Sequence, residues 1–366
     1  MPDNSERKHP DVAAISQQGY QHLREGAFKE AAREFEKVLA IEPSNSYALV
    51  GLGDTARKQG RQNEAVDYYT RCLEADPENA FALFGLADSY RSLRKYHQAL
   101  AVWERYLKHD DENVTVLTRV ADAYRKVREK RRSRELYQRV LELEDDNPYA
   151  LIGLGHLHYD FREYEEALRY WQRMYELGGR NADIRVLTSI GNCYRKVKDF
   201  GKGIPYFEEA LEREPDNFYA LFGLADCYRG LNEPEKSLEY WARILAKDPA
   251  NKVILTRAGD AYRSMGDLGK ARECYEQALE IEDDLYARLG LAIVARSRGD
   301  FSQALEILET LQDREPDNHR VYVELATTYA QSGSPRDAVA VLSAYLESGR
   351  SNSYVQELIE RYRREG

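Results

Sequence analysis

Apolar positions along the chain alternate between two helical faces that recur at a fixed distance. In the stretch ALFGLADSYRSL, residues 82 to 93, Leu83, Leu86, Ala87 and Tyr90 follow i, i+3, i+4, i+7, one side of an amphipathic helix. The next helix carries a small residue four positions before an aromatic. That pair recurs at Ala31 and Phe35, Ala65 and Tyr69, Ala99 and Trp103, Ala167 and Trp171, and Ala271 and Tyr275. It continues with substituted members at Ser133 and Tyr137, Gly203 and Phe207, Ser237 and Trp241, Ala304 and Leu308, and Ala338 and Leu342. The period is 34 residues, except for 36 from Ala167 to Gly203 and 33 from Ala271 to Ala304. Pro43, Pro77, Pro215, Pro249 and Pro316 each follow a second helix, which they cannot continue, and a nearby Asn or Asp is suited to cap the next one.

Ten two-helix units therefore span 12–45, 46–79, 80–113, 114–147, 148–183, 184–217, 218–251, 252–284, 285–318 and 319–352. A polar tail, 1–11, precedes them. In 353–366, Val355, Leu358, Ile359 and Tyr362 form an apolar stripe opposite polar residues, the pattern of a capping helix. The phrase at 82–93 returns almost unchanged as ALFGLADCYRGL at 220–231, and LTRVADAYR at 117–125 returns as LTRAGDAYR at 255–263. A four-unit block has been duplicated.

Small residue, Tyr, Ala, aromatic and Pro at these offsets resemble the tetratricopeptide repeat, over about residues 12 to 352. The departures are Leu or a similar residue where that family often has Trp, and Ser133, Gly203 and Ser237 where it prefers Ala. The resemblance implies an all-α fold, a right-handed superhelical α-solenoid of helical hairpins, with a concave groove lined by the first helices. It also implies a protein-interaction role.

Composition narrows the function. A formal net charge of −10 lacks the basic footprint of a nucleic-acid coat, so nucleic acid is not expected as the main partner. No run of about 18 apolar residues spans a membrane, and the polar N-terminus is unlike a signal peptide, so a cytoplasmic protein is expected. Cys72, Cys193, Cys227 and Cys274 are scattered and read as reduced core thiols. His156 and His158 stand two apart on one helix and cannot chelate together, and no catalytic or phosphate-loop motif occurs. Neither enzyme chemistry, a metal nor a cofactor is expected. Trp103, Trp171 and Trp241 fill the core aromatic slot. The segment RKVREKRRSR, Arg125 to Arg134, is either a solvated edge or a docking patch for anions.

A second stripe on the first helices, beside the core stripe, supplies the candidate site. In unit three it reads Phe81, Phe84, Asp88, Arg91, and in unit seven Tyr219, Phe222, Asp226, Arg229. Elsewhere it reads Tyr47, Val50, Asp54, Arg57, then Thr115, Thr118, Asp122, Arg125, then Arg185, Thr188, Asn192, Arg195, then Val253, Thr256, Asp260, Arg263, with Arg296 further on. Unit five departs with Tyr149, Ile152, His156, Tyr159 and Asp160, and ends at Gly178 and Gly179, where an irregular joint between the duplicated blocks is expected. The Asp and Arg rows either tie repeats together or bind a ligand. The excess of Arg and the aromatics, all expected to be exposed, favour a peptide or helical segment in the groove. The lysine-based carboxylate clamp of some family grooves is missing at Ser16, Val50, Phe84 and Thr118. The other readings are a self-associating array whose groove holds a neighbouring subunit, and anion or nucleic-acid docking through 125–134.

Overall fold

Ten hairpin turns share one backbone conformation. Each places a single residue in the left-handed region, at Gly26, Gly60, Arg94, Arg128, Arg162, Lys198, Asn232, Gly266, Gly299 and Gly333, with φ between 59° and 88°. The computed structural model describes residues 11–365. Among them are twenty-one α-helices, one 3-10 turn and no strand. The chain is an all-α solenoid of helical hairpins. The polar tail lies outside the described residues except for Asp11, whose carboxylate accepts from the Ala13 and Ala14 amides and caps the first helix.

The helices fall into two compact units, 1–177 and 178–366. The first holds α1 (Val12–Glu25), α2 (Phe28–Ile41), α3 (Ser46–Lys58), α4 (Gln62–Ala75), α5 (Ala80–Ser92), α6 (Tyr96–Tyr106), α7 (Val114–Lys126), α8 (Lys130–Leu143), α9 (Pro148–Asp160) and α10 (Tyr164–Gly178). A 3-10 turn, Gly179–Asn181, with Gly179 at φ 49°, opens the second. There follow α11 (Ile184–Lys196), α12 (Phe200–Arg213), α13 (Phe218–Gly230), α14 (Pro234–Lys247), α15 (Lys252–Ser264), α16 (Leu268–Ile281), α17 (Leu285–Ser297), α18 (Phe301–Arg314), α19 (His319–Gln331), α20 (Pro335–Glu347) and α21 (Ser353–Glu365). No helix among the described residues is long and apolar enough to cross a membrane.

Local chemistry starts most first helices. The Asn79 side chain accepts from the Ala82 amide at 3.0 Å and donates to Asp76 at 3.0 Å. Asn45, Asn113, Asn147, Asn217 and Asn251 repeat this cap, each worth about 1 kcal/mol. The aromatic slot makes the core: Phe35, Tyr69, Trp103, Phe207, Trp241 and Tyr275 are fully buried. Glycine is required where first helices close on these rings, since a Cβ on Gly85 would come within 2.3 Å of the Tyr69 ring. First helices of neighbouring hairpins touch at α1 and α3, α3 and α5, and α7 and α9 in the first unit, and at α11 and α13, α15 and α17, and α17 and α19 in the second. The backbones of α5 and α7, and of α13 and α15, approach less closely. Val355, Leu358, Ile359 and Tyr362 of α21 are buried against Tyr322, Leu342 and Tyr345.

Candidate functional site

The two looser junctions are where arginine replaces glycine. Arg119 of α7 and Arg257 of α15 occupy the helix position held by Gly51, Gly85, Gly153 and Gly223 in other first helices. Each follows a hairpin whose aromatic slot is Trp103 or Trp241. The Arg257 guanidinium lies over the Phe222 ring at 5.4 Å and the Trp241 ring at 5.9 Å, and Arg119 lies over Phe84 at 4.7 Å. Stacked this way, the guanidinium planes are held by apolar side chains.

Both arginines turn toward a buried aspartate. Asp88 is ion-paired with Arg119, with Arg91 at 3.1 Å and with Arg57 at 3.5 Å. Asp226 accepts from Arg195 at 2.6 Å, from Arg229 at 2.7 Å and from Arg257 at 3.2 Å. In both cages the arginines stand 31 residues before the aspartate, three after it and 31 after it, and the whole set is repeated 138 residues on. Although burial opposes its ionisation, Arg229, Arg195 and Arg257 hold the Asp226 carboxyl below the usual carboxylate range. Burial and then repulsion from its arginine neighbours lower the pKa of Arg257 against the pull of Asp226. The surrounding charge differs between the cages. Arg57 also pairs with Asp54 at 3.1 Å, whereas Arg195 meets the neutral Asn192 at 3.0 Å.

In the hairpins with tyrosine in the slot, the core reaches this face. The Tyr69 hydroxyl donates to Asp54 at 2.7 Å and accepts from Arg57 at 3.4 Å. Tyr275 does the same with Asp260 at 2.8 Å and Arg263 at 3.4 Å. Burial, reinforced by the aspartate in each case, raises both tyrosine pKa values. Arg125 pairs with Asp122 at 2.7 Å and with Asp160 of the next hairpin, and Arg296 with Glu324 at 2.8 Å. The rows of Asp and Arg are thus an inter-hairpin network within each unit.

The aromatic stripe divides in two. Tyr47, Phe81, Tyr149 and Tyr219 are 68–76% exposed. Phe84 and Phe222 were expected to be exposed and are not: each is half-buried under the arginines, Phe84 edge-on to Tyr106 and Phe222 edge-on to Trp241. Tyr286 stands at the same helix position as Phe81, is also exposed, and was missed because its helix lacks the Asp. Arg119 and Arg257 were missed as well. The signal was present, since a long cation in a row of glycines has no packing reason to be there.

A cleft of about 530 Å³ lies beside the first cage, lined by Arg91, Arg119, Thr118, Tyr149, Ile152 and His156. His156 is open to water on one side and edge-on to Trp171 at 4.8 Å on the other. Partial desolvation and then Arg125 lower its pKa. Tyr159 packs edge-on to Tyr164 at 5.3 Å. His158 is buried and its Nδ1 lies 2.8 Å from Glu163. The basic segment is largely engaged internally. Lys130 pairs with Glu163, Arg128 donates to the Asp160 carbonyl at 3.1 Å, and Arg132 donates to the Tyr124 hydroxyl at 3.2 Å.

Sequence models of the tetratricopeptide repeat match nearly the whole array. One covers residues 17–80, 119–182 and 190–252, and others cover 68–101, 254–285 and 295–362. The chain belongs to the tetratricopeptide repeat family. As a tetratricopeptide repeat protein it is a protein-interaction scaffold. No curated protein gives a significant match. Among solved structures, a tetratricopeptide repeat protein from Parabacteroides merdae is 16% identical with a TM-score of 0.43, covering 77% of this chain and 98% of that one. YrrB, described as having an unusual peptide-binding site, is 21% identical with a TM-score of 0.45, covering 50% of this chain and 95% of its own. MamA is 23% identical with a TM-score of 0.43, covering 47% of this chain and 92% of its own.

Proposed function

We propose that the first-helix faces of this tetratricopeptide repeat protein bind a peptide or helical segment of a protein partner. The observation that carries this reading is the row of exposed aromatics at one helix position, Tyr47, Phe81, Tyr149, Tyr219 and Tyr286, four of them on helices that also bear Arg57, Arg91, Arg229 or Arg296. Each of these rings is more than half exposed, and aromatic rings beside arginine are the composition of binding hot spots. The ring supplies apolar contact, the arginines supply charge, and the paired aspartates hold the arginines in place.

Selection of peptides from a displayed library against the full chain tests the reading. Enriched peptides should bind the double variant Phe81→Ala, Tyr219→Ala at least tenfold more weakly. Equal binding to the variant and the parent would sink it.

A further inference from the structure

The arginine cages hold more donors than their aspartates can accept. A guanidinium carries about five N–H donors and a carboxylate offers about four acceptor sites. Three guanidiniums around one buried carboxylate therefore leave most of their donors to other partners. Charge follows the same count, three positive to one negative. Asp54 offsets part of this excess in the first cage, whereas the corresponding place in the second is the neutral Asn192, and the further negative charge acting on Arg257 is that of Asp260.

We infer that each unit carries one carboxylate-binding subsite, Arg57, Arg91 and Arg119 around Asp88 in the first and Arg195, Arg229 and Arg257 around Asp226 in the second, each receiving an acidic side chain of a peptide partner. This rests on the peptide-binding reading and specifies its chemistry. The buried aspartate acts as an internal anchor that holds three guanidiniums together against their repulsion. Phe84 lies under the guanidinium of Arg119 in the first cage and Phe222 under those of Arg195 and Arg257 in the second, so little side-chain freedom is lost when an anion arrives. Arg91 and Arg229 are the most open members, with 38% and 50% of their side chains exposed. They are the natural points of entry. Arg91 also lines the cleft beside the first cage, where Tyr149 can cover an apolar neighbour of the acidic residue. A carboxylate against a guanidinium makes paired, charge-assisted hydrogen bonds. The partner is thus a segment with acidic residues beside an aromatic or aliphatic one, and the second unit binds it more tightly than the first.

Calorimetric titration of the full chain at low salt tests this with a seven-residue, acetylated and amidated peptide in which one phenylalanine is flanked by three glutamates on each side. Two equivalents should bind, with weakening as salt rises. Arg229→Gln should remove the tighter equivalent and Arg91→Gln the weaker one, with unchanged circular dichroism. The peptide with glutamine for glutamate should bind at least tenfold more weakly. The proposal is overturned if neither variant changes binding, if the glutamate peptide does not bind at millimolar concentration, or if only a phosphoserine version binds. Should the glutamine peptide bind as well as the glutamate one and lose affinity on Phe81→Ala, the face would still bind peptides while the cages took no carboxylate.

Discussion

Arg195 on α11 donates from Nη1 to the Asp226 carboxylate on α13, 2.6 Å away, so a charge in one hairpin is neutralised by the next. Arg229 and Arg257 reach the same carboxylate, which is only 7% exposed. Removing it strands three cations. Asp226→Ala is expected to destabilise the second unit by about 3 kcal/mol, because a partner removed from a buried pair leaves uncompensated charge. Chemical denaturation followed by circular dichroism checks this, and a loss under about 1 kcal/mol would show the cage to be energetically idle.

The same carboxylate makes stability depend on acid. Its pKa in the folded chain lies below the ordinary value of about 3.9. A depressed carboxyl stabilises fully above the unfolded pKa and loses that contribution as pH falls through the folded one. Melting temperature should therefore drop below about pH 4, and drop less in Asp226→Asn relative to its own value at neutral pH. Parallel curves for the two proteins would contradict the assignment.

Tyr69→Phe tests the link between core and surface. The Phe35 and Phe207 slots show that the ring is accommodated without a hydroxyl. Loss of the bonds to Asp54 and Arg57 should then cost about 0.5 to 1.5 kcal/mol, the net worth of a hydrogen bond. Urea unfolding measures it.

Arg162 adopts φ 63°, a conformation other hairpins give to glycine. Arg162→Gly should stabilise the chain by up to about 1 kcal/mol, since a left-handed residue with a Cβ is strained by about 1 to 2 kcal/mol and glycine returns part of that as unfolded-state entropy. A lower melting temperature would refute this.

Deleting residues 353 to 366 should uncover Tyr322, Leu342 and Tyr345, which α21 buries. Light scattering is expected to show association of the truncated chain. A truncated chain that stays as dispersed as the parent would count against the capping role.

The repeat period, the helix order and the core aromatics were legible because burial selects residues at a 34-residue interval and leaves a readable face. Asp88, Arg91, Asp226 and Arg229 were legible as a stripe for the same reason. The cages were not, because Arg57 and Arg119 meet Asp88 from separate hairpins and a stripe read along one helix does not show partners on the next. Phe84 and Phe222 were misjudged on that account: their exposure depends on Arg119, Arg195 and Arg257, which arrive from neighbouring helices.

The ten left-handed turn residues keep time for the chain. From Gly26 to Arg162 and from Lys198 to Gly266 they recur at 34, and the two departures, 36 from Arg162 to Lys198 and 33 from Gly266 to Gly299, arise in the connections after α10 and α16. A slip of one residue inside a hairpin turn would push a different side chain into the left-handed region and rotate the following helix by about 100°. Length is tolerated only at the joints between hairpins. Variation in such a chain proceeds by whole hairpins copied in phase, and a duplicated block inherits its arginine cage already assembled.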